Sequence, residues 1–460
     1  MNANVAIGSS PWYRSLNREQ WRVLLASNLG WLFDGFEIYA LFLTVGFALH
    51  QLLEAAQYAE IPRYAGYVLA TTIFGWATGA VIGGIIADYI GRKRTMMLAI
   101  LAYSLTTALS AVAWNWQSFA ILRFLVGVGI GSEWVTGASL VSELWPDHAR
   151  GKGGGLLLSG AGIGSFLASG VWLLIGGLGP SAWRWMYLIG VLPALLVLWI
   201  RRSMPESTRW ERASEQRRAA RAQRRSGATL EAEHAALALF TVADMFLDRS
   251  VRRRLVPAFL MMLSVTFGFW GVATFVPTYV GTFAAKGGLS APYYSAVAGL
   301  LGTGVAIFGF ITLGFLADGI GRKPTAMLYY AMCLVLTPVV YLWSHNSMAS
   351  LLAAVTVFGF FTGGIWSWAP IWLPELFPTR MRGTAVAFCF NAPRWISCVG
   401  PLIAGTLIVA LGGYGKAATI VGLFFILGVI AAPFLPETRG KPLPHALWRE
   451  PPIPSAGSGS

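Results

Sequence analysis

GGIIADYIGRKR, residues 83–94, returns as LGFLADGIGRKP at 313–324. Each copy ends an apolar run, sets down an acid (Asp88, Asp318), turns on a glycine and opens a second apolar run behind basic residues. The two acids are 230 positions apart in a chain of 460. Two further pairs keep nearly that offset. SELWPDHARGK (142–152) matches PELFPTRMRGT (374–384), with Glu143 and Glu375 separated by 232, and PESTRW (205–210) matches PETRGK (436–441), with their prolines separated by 231. Three agreeing offsets imply one unit duplicated in parallel orientation.

What the unit is follows from composition. The chain is 56% apolar and only 12% charged, where soluble proteins carry about 25% charge. It therefore reads as an all-α membrane protein. A span needs about 20 apolar residues, and twelve segments qualify, at about 23–49, 65–87, 96–114, 119–143, 153–177, 184–201, 255–282, 293–317, 325–343, 350–373, 385–411 and 417–435. With the duplication, this predicts twelve transmembrane helices in two pseudo-symmetric six-helix bundles, 23–201 and 255–436. Residues 1–22 precede them, 202–254 link them and 437–460 form a tail. No signal-peptide core precedes the first span, so that span is expected to direct its own insertion.

The formal charge of +14 would suggest nucleic acid in a soluble protein. Here it is better read as topology, and no nucleic acid is expected. One set of loops holds Arg92, Lys93, Arg94, Arg150, Lys152, Arg322, Lys323, Arg380 and Arg382, while the opposite set has few basic residues. The rule that basic loops stay inside then puts those loops, both termini and the central segment in the cytoplasm of a cell with its inner (plasma) membrane spanned many times. The basic central segment is also placed to lie against anionic lipid headgroups. The three cysteines, Cys333, Cys389 and Cys398, and the five histidines form no metal-type spacing, so no metal and no cofactor is expected. The glycine-rich stretches GVGIGS (127–132) and SGAGIGS (159–165) lie inside apolar spans with no preceding strand, which favours close helix packing over phosphate binding. No nucleophile–base constellation suggests an enzyme.

The G-x-x-A-D-x-x-G-R-[KR] loop, present twice, resembles the signature of the major facilitator superfamily. The E-x-x-P-x-x-x-R-G ends of spans four and ten, with the PES and PET pieces after spans six and twelve, resemble its branch of porters for sugars and other metabolites. PWYRSLNREQWR followed by DGFE is similar to the sialate:proton symporter group, and GSEW (131–134) resembles the metabolite:proton symporters. The resemblance implies that Asp88 and Asp318, at their turns with Arg92 and Arg322, latch the halves at the cytoplasmic face, Asp88 near span eleven and Asp318 near span five. Glu143 with Arg150 and Glu375 with Arg382 would add charge pairs there. Such pairs bias a two-state switch if they differ between its states.

Five ionisable residues lie inside spans: Asp34, Glu37, Arg123, Glu133 and Arg394. Charges at membrane depth are expensive and mark function by default. The sugar-porter resemblance assigns Asp34 and Arg123 as a proton-coupling pair. A carboxylate held by a guanidinium stays charged, and one withdrawn from it into a dry cavity takes a proton. Glu37, one turn outward, either tunes Asp34 or faces the outer vestibule. Glu133 is a second protonation site or a partner for Arg123, although about 15 Å of helix rise separates the two along span four and argues against direct contact within that helix. Span eleven contains no acid to match Arg394, so an anionic substrate can supply the counter-charge, matching guanidinium bidentately, with Asn391 one turn away. Pairing of Arg394 with Glu133 across the interface is the alternative. Trp134 and Trp366, 232 apart, either wall the cavity or pack as membrane aromatics.

The expected function is proton-coupled uptake of a small organic anion, such as a monocarboxylate, sialate or aromatic acid, by a monomer with alternating access. The rivals are a neutral sugar:proton symporter and a non-transporting membrane sensor, for which the chain offers no added signalling domain.

Overall fold

The structure is a computed structural model, which describes residues 16–144, 150–192, 249–344, 346–377 and 382–441, with positions 194, 195, 199, 246 and 444 besides. In lipid, an apolar segment must satisfy every backbone N–H and C=O internally, which a helix does. Among the described residues there is accordingly helix and no strand. The first half holds α1 (Arg18–Leu52), α2 (Ile61–Ile90), α3 (Arg92–Ser110), α4 (Trp116–Leu144), α5 (Arg150–Ile175) and α6 (Ala182–Ile189). In the second half the seventh span is α7 (Arg249–Val272) and α8 (Val276–Lys286), the eighth α9 (Ala291–Ile320) and the ninth α10 (Arg322–Pro338). The tenth is α11 (Met348–Gly364) and α12 (Trp368–Leu376), the eleventh α13 (Arg382–Ser397) and α14 (Val399–Ala410), and the twelfth α15 (Tyr414–Gly422) and α16 (Phe425–Ala431). Among the described residues nine passages are long and apolar enough to cross a membrane, and α3, α4 and α6 stand where the other three spans are expected. Outward-facing side chains such as Leu174, Phe308 and Phe315 are exposed, as helices surrounded by lipid require. Most of the central segment 202–254, and the far ends of the chain, lie outside the described residues.

The duplication is visible in the backbone. Gly91 has φ 100° and ψ 159°, and Gly321 has φ 109° and ψ 161°. Both glycines close one helix and open the next in the left-handed half of the map, where a side chain would be strained. The glycine-rich runs pack helix on helix: a Cβ on Gly131 would strike the Trp76 carbonyl and one on Gly79 the Val128 carbonyl, so α2 and α4 touch backbone to backbone.

The halves meet where α5 lies on α9 and α2 lies on α13 and α14. Spans in the second half are broken by proline, which cannot donate to the carbonyl four residues back. A 3₁₀ turn at Ala273–Phe275 precedes Pro277, and another at Ile365–Ser367 precedes Pro370. Span eleven is interrupted at Cys398, shortly before Pro401, while Pro393 sits inside α13 without breaking it. Ala273 and Trp366, at two of these breaks, reach the central cavity.

Candidate transport site

A cavity of about 160 Å³ lies between the halves, walled by α1, α2 and α5 on one side and by α7, α9, α11 and α13 on the other. Asp34 of α1 and Arg394 of α13 both line it, one from each half, and are 3% and 2% exposed. Trp366 lines it too. Asn391 does not, but it orients Arg394. Its Oδ1 accepts from Arg394 Nη1 at 3.4 Å, and its own amide donates to the Ala387 carbonyl at 3.0 Å. Arg394 Nη1 also donates to the Phe390 carbonyl one turn back. The guanidinium carbon sits 4.4 Å from the Phe390 ring centroid, 5.0 Å from Trp76 and 5.7 Å from Trp366. Aromatic faces attract a desolvated cation, so this box holds the guanidinium at the cavity wall.

The N-terminal charges pair differently from the expectation. Arg123 does not take Asp34. Its Nη1 meets Glu37 Oε1 at 2.5 Å, with side-chain exposures of 1% and 3%. Ser110 accepts from Arg123 Nη2 at 3.0 Å, and the Tyr187 ring lies 4.6 Å from the guanidinium carbon. Glu37 is therefore a buried counter-ion and not a residue of an outer vestibule. Asp34 stands beside Glu133 of α4, carboxyl next to carboxyl. No N–H or hydroxyl among the described residues donates to either Asp34 oxygen. Gly30, one turn before Asp34, makes room for this: its missing side chain leaves the space that the Glu133 carboxylate fills. The physical reason is axial order. Spans one and four run antiparallel, so the inner acid of α1 faces the inner residue of α4 and the outer acid faces Arg123. Glu133 is accordingly not the partner of Arg123.

At the end of the bundle that carries the two glycine turns, Arg322 joins three acids. It binds Glu375 bidentately at 3.0 and 2.9 Å and Asp318 at 2.8 Å. Glu375 thus takes Arg322 and not Arg382, whose Nε donates to the Pro374 and Phe377 carbonyls at 2.9 and 3.2 Å. Asp318, two-thirds exposed, engages its own turn rather than span five. Glu437, of the PETRGK stretch, accepts from the backbone N–H of Arg322, Lys323, Thr438 and Arg439, each at 3.0 Å. It caps α10, satisfying orphan amides at the positive end of the helix. Partial burial pushes the Glu437 carboxyl up, but the four amide donors outweigh it and hold the group below its ordinary 4.5. Thr438 Oγ1 donates to Glu375 Oε2 at 2.5 Å and closes the cluster. The side chains of Asp88, Arg92, Trp134, Glu143 and Arg150 lie outside the described residues.

Against known proteins, residues 16–448 match the sugar (and other) transporter family. The chain belongs to that family. This transporter is 29% identical over 436 residues to a probable 4-methylmuconolactone transporter of Cupriavidus pinatubonensis, covering 93% of each chain. It is 28% identical to the sialic acid transporter NanX of Escherichia coli, covering 91% of this chain and 94% of that one. Its fold matches the partially occluded, inward-open xylose transporter XylE of E. coli with a TM-score of 0.69 at 20% identity, over 93% of this chain and 100% of that one. The transporter is thus a multi-pass membrane protein of the major facilitator type whose substrate is a small molecule, and it is not an enzyme.

Sequence reasoning missed several residues of this transporter's site. Trp76 and Trp270 line the cavity, and Tyr103 of α3 lies among Asp34, Glu37 and Glu133. Ser110 and Tyr187 hold Arg123. Aromatic and hydroxyl residues are too common in membrane helices for any of these to stand out in the sequence.

Proposed function

We propose that this transporter couples entry of a small organic anion to inward movement of protons across a bacterial-type inner membrane, working as a monomer with both termini cytoplasmic. The observation that carries the reading is one cavity between the halves with a buried acid on one wall, Asp34, and a buried arginine on the other, Arg394. Arg394 receives the substrate carboxylate, held at the wall by Asn391 and the aromatic box. The printed substrates of the two sequence relatives, a muconolactone and sialic acid, are organic acids, which supports that assignment.

Asp34 and Glu133 hold the proton. Two adjacent carboxyls away from water cannot both ionise, so the pair retains one proton while closed and gives it up when water reaches the cavity from the cytoplasmic side. Arg123 and Glu37 form the fixed charge pair behind them and keep α1 against α4. The Arg322–Glu375–Asp318 cluster, with Glu437 on its amides, ties the cytoplasmic ends of spans eight, nine, ten and twelve into one rigid body. By the duplication, Asp88, Arg92, Glu143 and Arg150 do the same in the first half, and Arg382 braces the end of span ten. Trp366 forms cavity wall, and Trp134 is its counterpart in span four. The two bundles, 23–201 and 255–436, then rock about the cavity, joined by the cytoplasmic segment 202–254.

The test is proton uptake into proteoliposomes loaded with a pH-sensitive dye and challenged with monocarboxylates, aromatic acids, sialate and neutral sugars. Acidification of the lumen by an acid with the wild type, and not with Asp34→Asn or Arg394→Ala, is expected. Acidification by sugars alone would overturn the anion reading. Normal coupling in Asp34→Asn would remove Asp34 from the proton path.

A further inference from the structure

We infer that the cavity takes a compact planar carboxylate, a one-ring aromatic or conjugated acid, and that the indole N–H groups of Trp76 and Trp270 receive its carboxylate together with Arg394. The inference rests on the organic-anion reading and narrows it to a substrate class and two further binding residues.

Size comes first. The cavity is about 160 Å³, and an apolar protein cavity of ~150 Å³ accommodates one benzene ring. A one-ring acid is close to that size, and a nine-carbon sugar acid is larger. The walls are flat and apolar. Phe42, Phe269 and Phe358 join the tryptophans around the space, and such faces stack on a planar ring.

The polar groups point the same way. A polyhydroxylated ligand needs many donors and acceptors from the wall. Three wall hydroxyls already donate to main-chain carbonyls: Ser165 to Ala161 at 2.9 Å, Thr303 to Gly299 at 2.6 Å and Thr362 to Phe358 at 2.8 Å. The indole N–H groups of Trp76 and Trp270 are buried and have no acceptor among the described residues. A buried donor without an acceptor is destabilising and uncommon in folded proteins. The two rings pack edge to face with centroids 5.8 Å apart, and Arg394 lies over Trp76 at 5.0 Å. Two orphan donors and a guanidinium thus line one cavity. A carboxylate offers acceptors alone, about four lone-pair sites, together with the negative charge and the flat edge that a guanidinium matches. Arg394 fits one edge of the carboxylate, and the indoles reach the lone pairs that remain.

The experiment has a ligand arm and a variant arm. In proteoliposomes, uptake of labelled benzoate is competed with benzamide, cyclohexanecarboxylate, N-acetylneuraminate and xylose. Benzoate is expected to be transported and to be displaced weakly by benzamide, which lacks the charge, and by N-acetylneuraminate and xylose, which exceed or mismatch the space. Cyclohexanecarboxylate, charged but not flat, should compete less well than unlabelled benzoate. Trp76→Phe and Trp270→Phe keep a ring and delete the N–H. Each should raise the KM for benzoate roughly ten- to a hundredfold, the loss of one hydrogen bond to a charged group, with kcat largely kept. Retention of kcat, with a monodisperse elution profile, certifies the fold. If both variants keep the wild-type KM, the indole assignment is overturned. If N-acetylneuraminate is carried with protons and benzoate is not, the planar class falls while the organic-anion function stands. If no carboxylate moves protons at all, it is the underlying function that fails.

Discussion

Replacing Glu37 by glutamine separates the observed charge pairing from the one the resemblance implied. Arg123 and Glu37 are almost wholly buried, with 2.5 Å between them. Taking away the carboxylate leaves a guanidinium with Ser110 at 3.0 Å, Thr107 at 3.5 Å and the Tyr187 face, but no counter-charge. Breaking a buried ion pair from one side typically costs about 3–5 kcal/mol. At about 1 °C per kcal/mol for a chain of this size, the thermal midpoint should fall by roughly 3–5 °C. Asp34→Asn strands no cation, because Arg123 is not its partner, so its midpoint should stay within a degree or two of wild type even though proton coupling is lost. The double variant Glu37→Gln with Arg123→Met removes both charges and should recover much of the loss, since the penalty belongs to the isolated cation rather than to the missing bond. The assay is loss of monodisperse protein after heating in detergent, followed by fluorescence-detected size exclusion. A destabilised Asp34→Asn beside a normal Glu37→Gln would show that Arg123 pairs with Asp34 and that the two-layer arrangement is wrong.

Glu437→Gln should show its effect as a change in pH dependence. The Glu437 carboxyl is held below its ordinary 4.5 in the folded protein, so its contribution is fully present above about pH 4.5 and fades as pH falls through the lower folded value. Thermal midpoints of wild type and variant should differ at neutral pH and converge on acidification below 4.5, and a gap that stays constant into acid would contradict the capping role. Glu375→Gln, which breaks the bidentate Arg322 contact, should loosen the glycine-turn end of the second half more than Arg382→Gln, read as a broader distance distribution between spin labels on spans eight and ten; equal broadening would count against the cluster. Gly79→Leu puts a side chain onto the Val128 carbonyl, where helix α2 touches α4, and should abolish the monodisperse protein. Gly46→Ala, whose new methyl would only meet Thr278 Cγ2 at 3.5 Å, should be tolerated.

Much of the architecture was legible before any coordinates. The long apolar runs specify helices because lipid offers the backbone no other partner. The offsets near 230 specify the duplication, and Gly91 and Gly321 then adopt nearly the same backbone angles because the same turn is built twice. The five intramembrane charges were also legible, since a charge inside an apolar run is conspicuous on composition alone. What the residues did not reveal is which charge meets which. Asp34 and Glu37 are three positions apart, about 4.5 Å of helix rise, and that is less than the reach of an arginine side chain. A small axial shift or rotation of α4 against α1 therefore decides whether Arg123 takes one acid or the other. Arg322 likewise reached Glu375 because spans nine and ten pack side by side, whereas the nearer arginine in sequence, Arg382, turned to carbonyls. The local sequence thus determined the helices, their order and the inventory of charges. The tertiary packing alone decided the pairings, the aromatic box around Arg394 and the cavity between the halves, because these depend on rotations and offsets between helices that no single segment encodes.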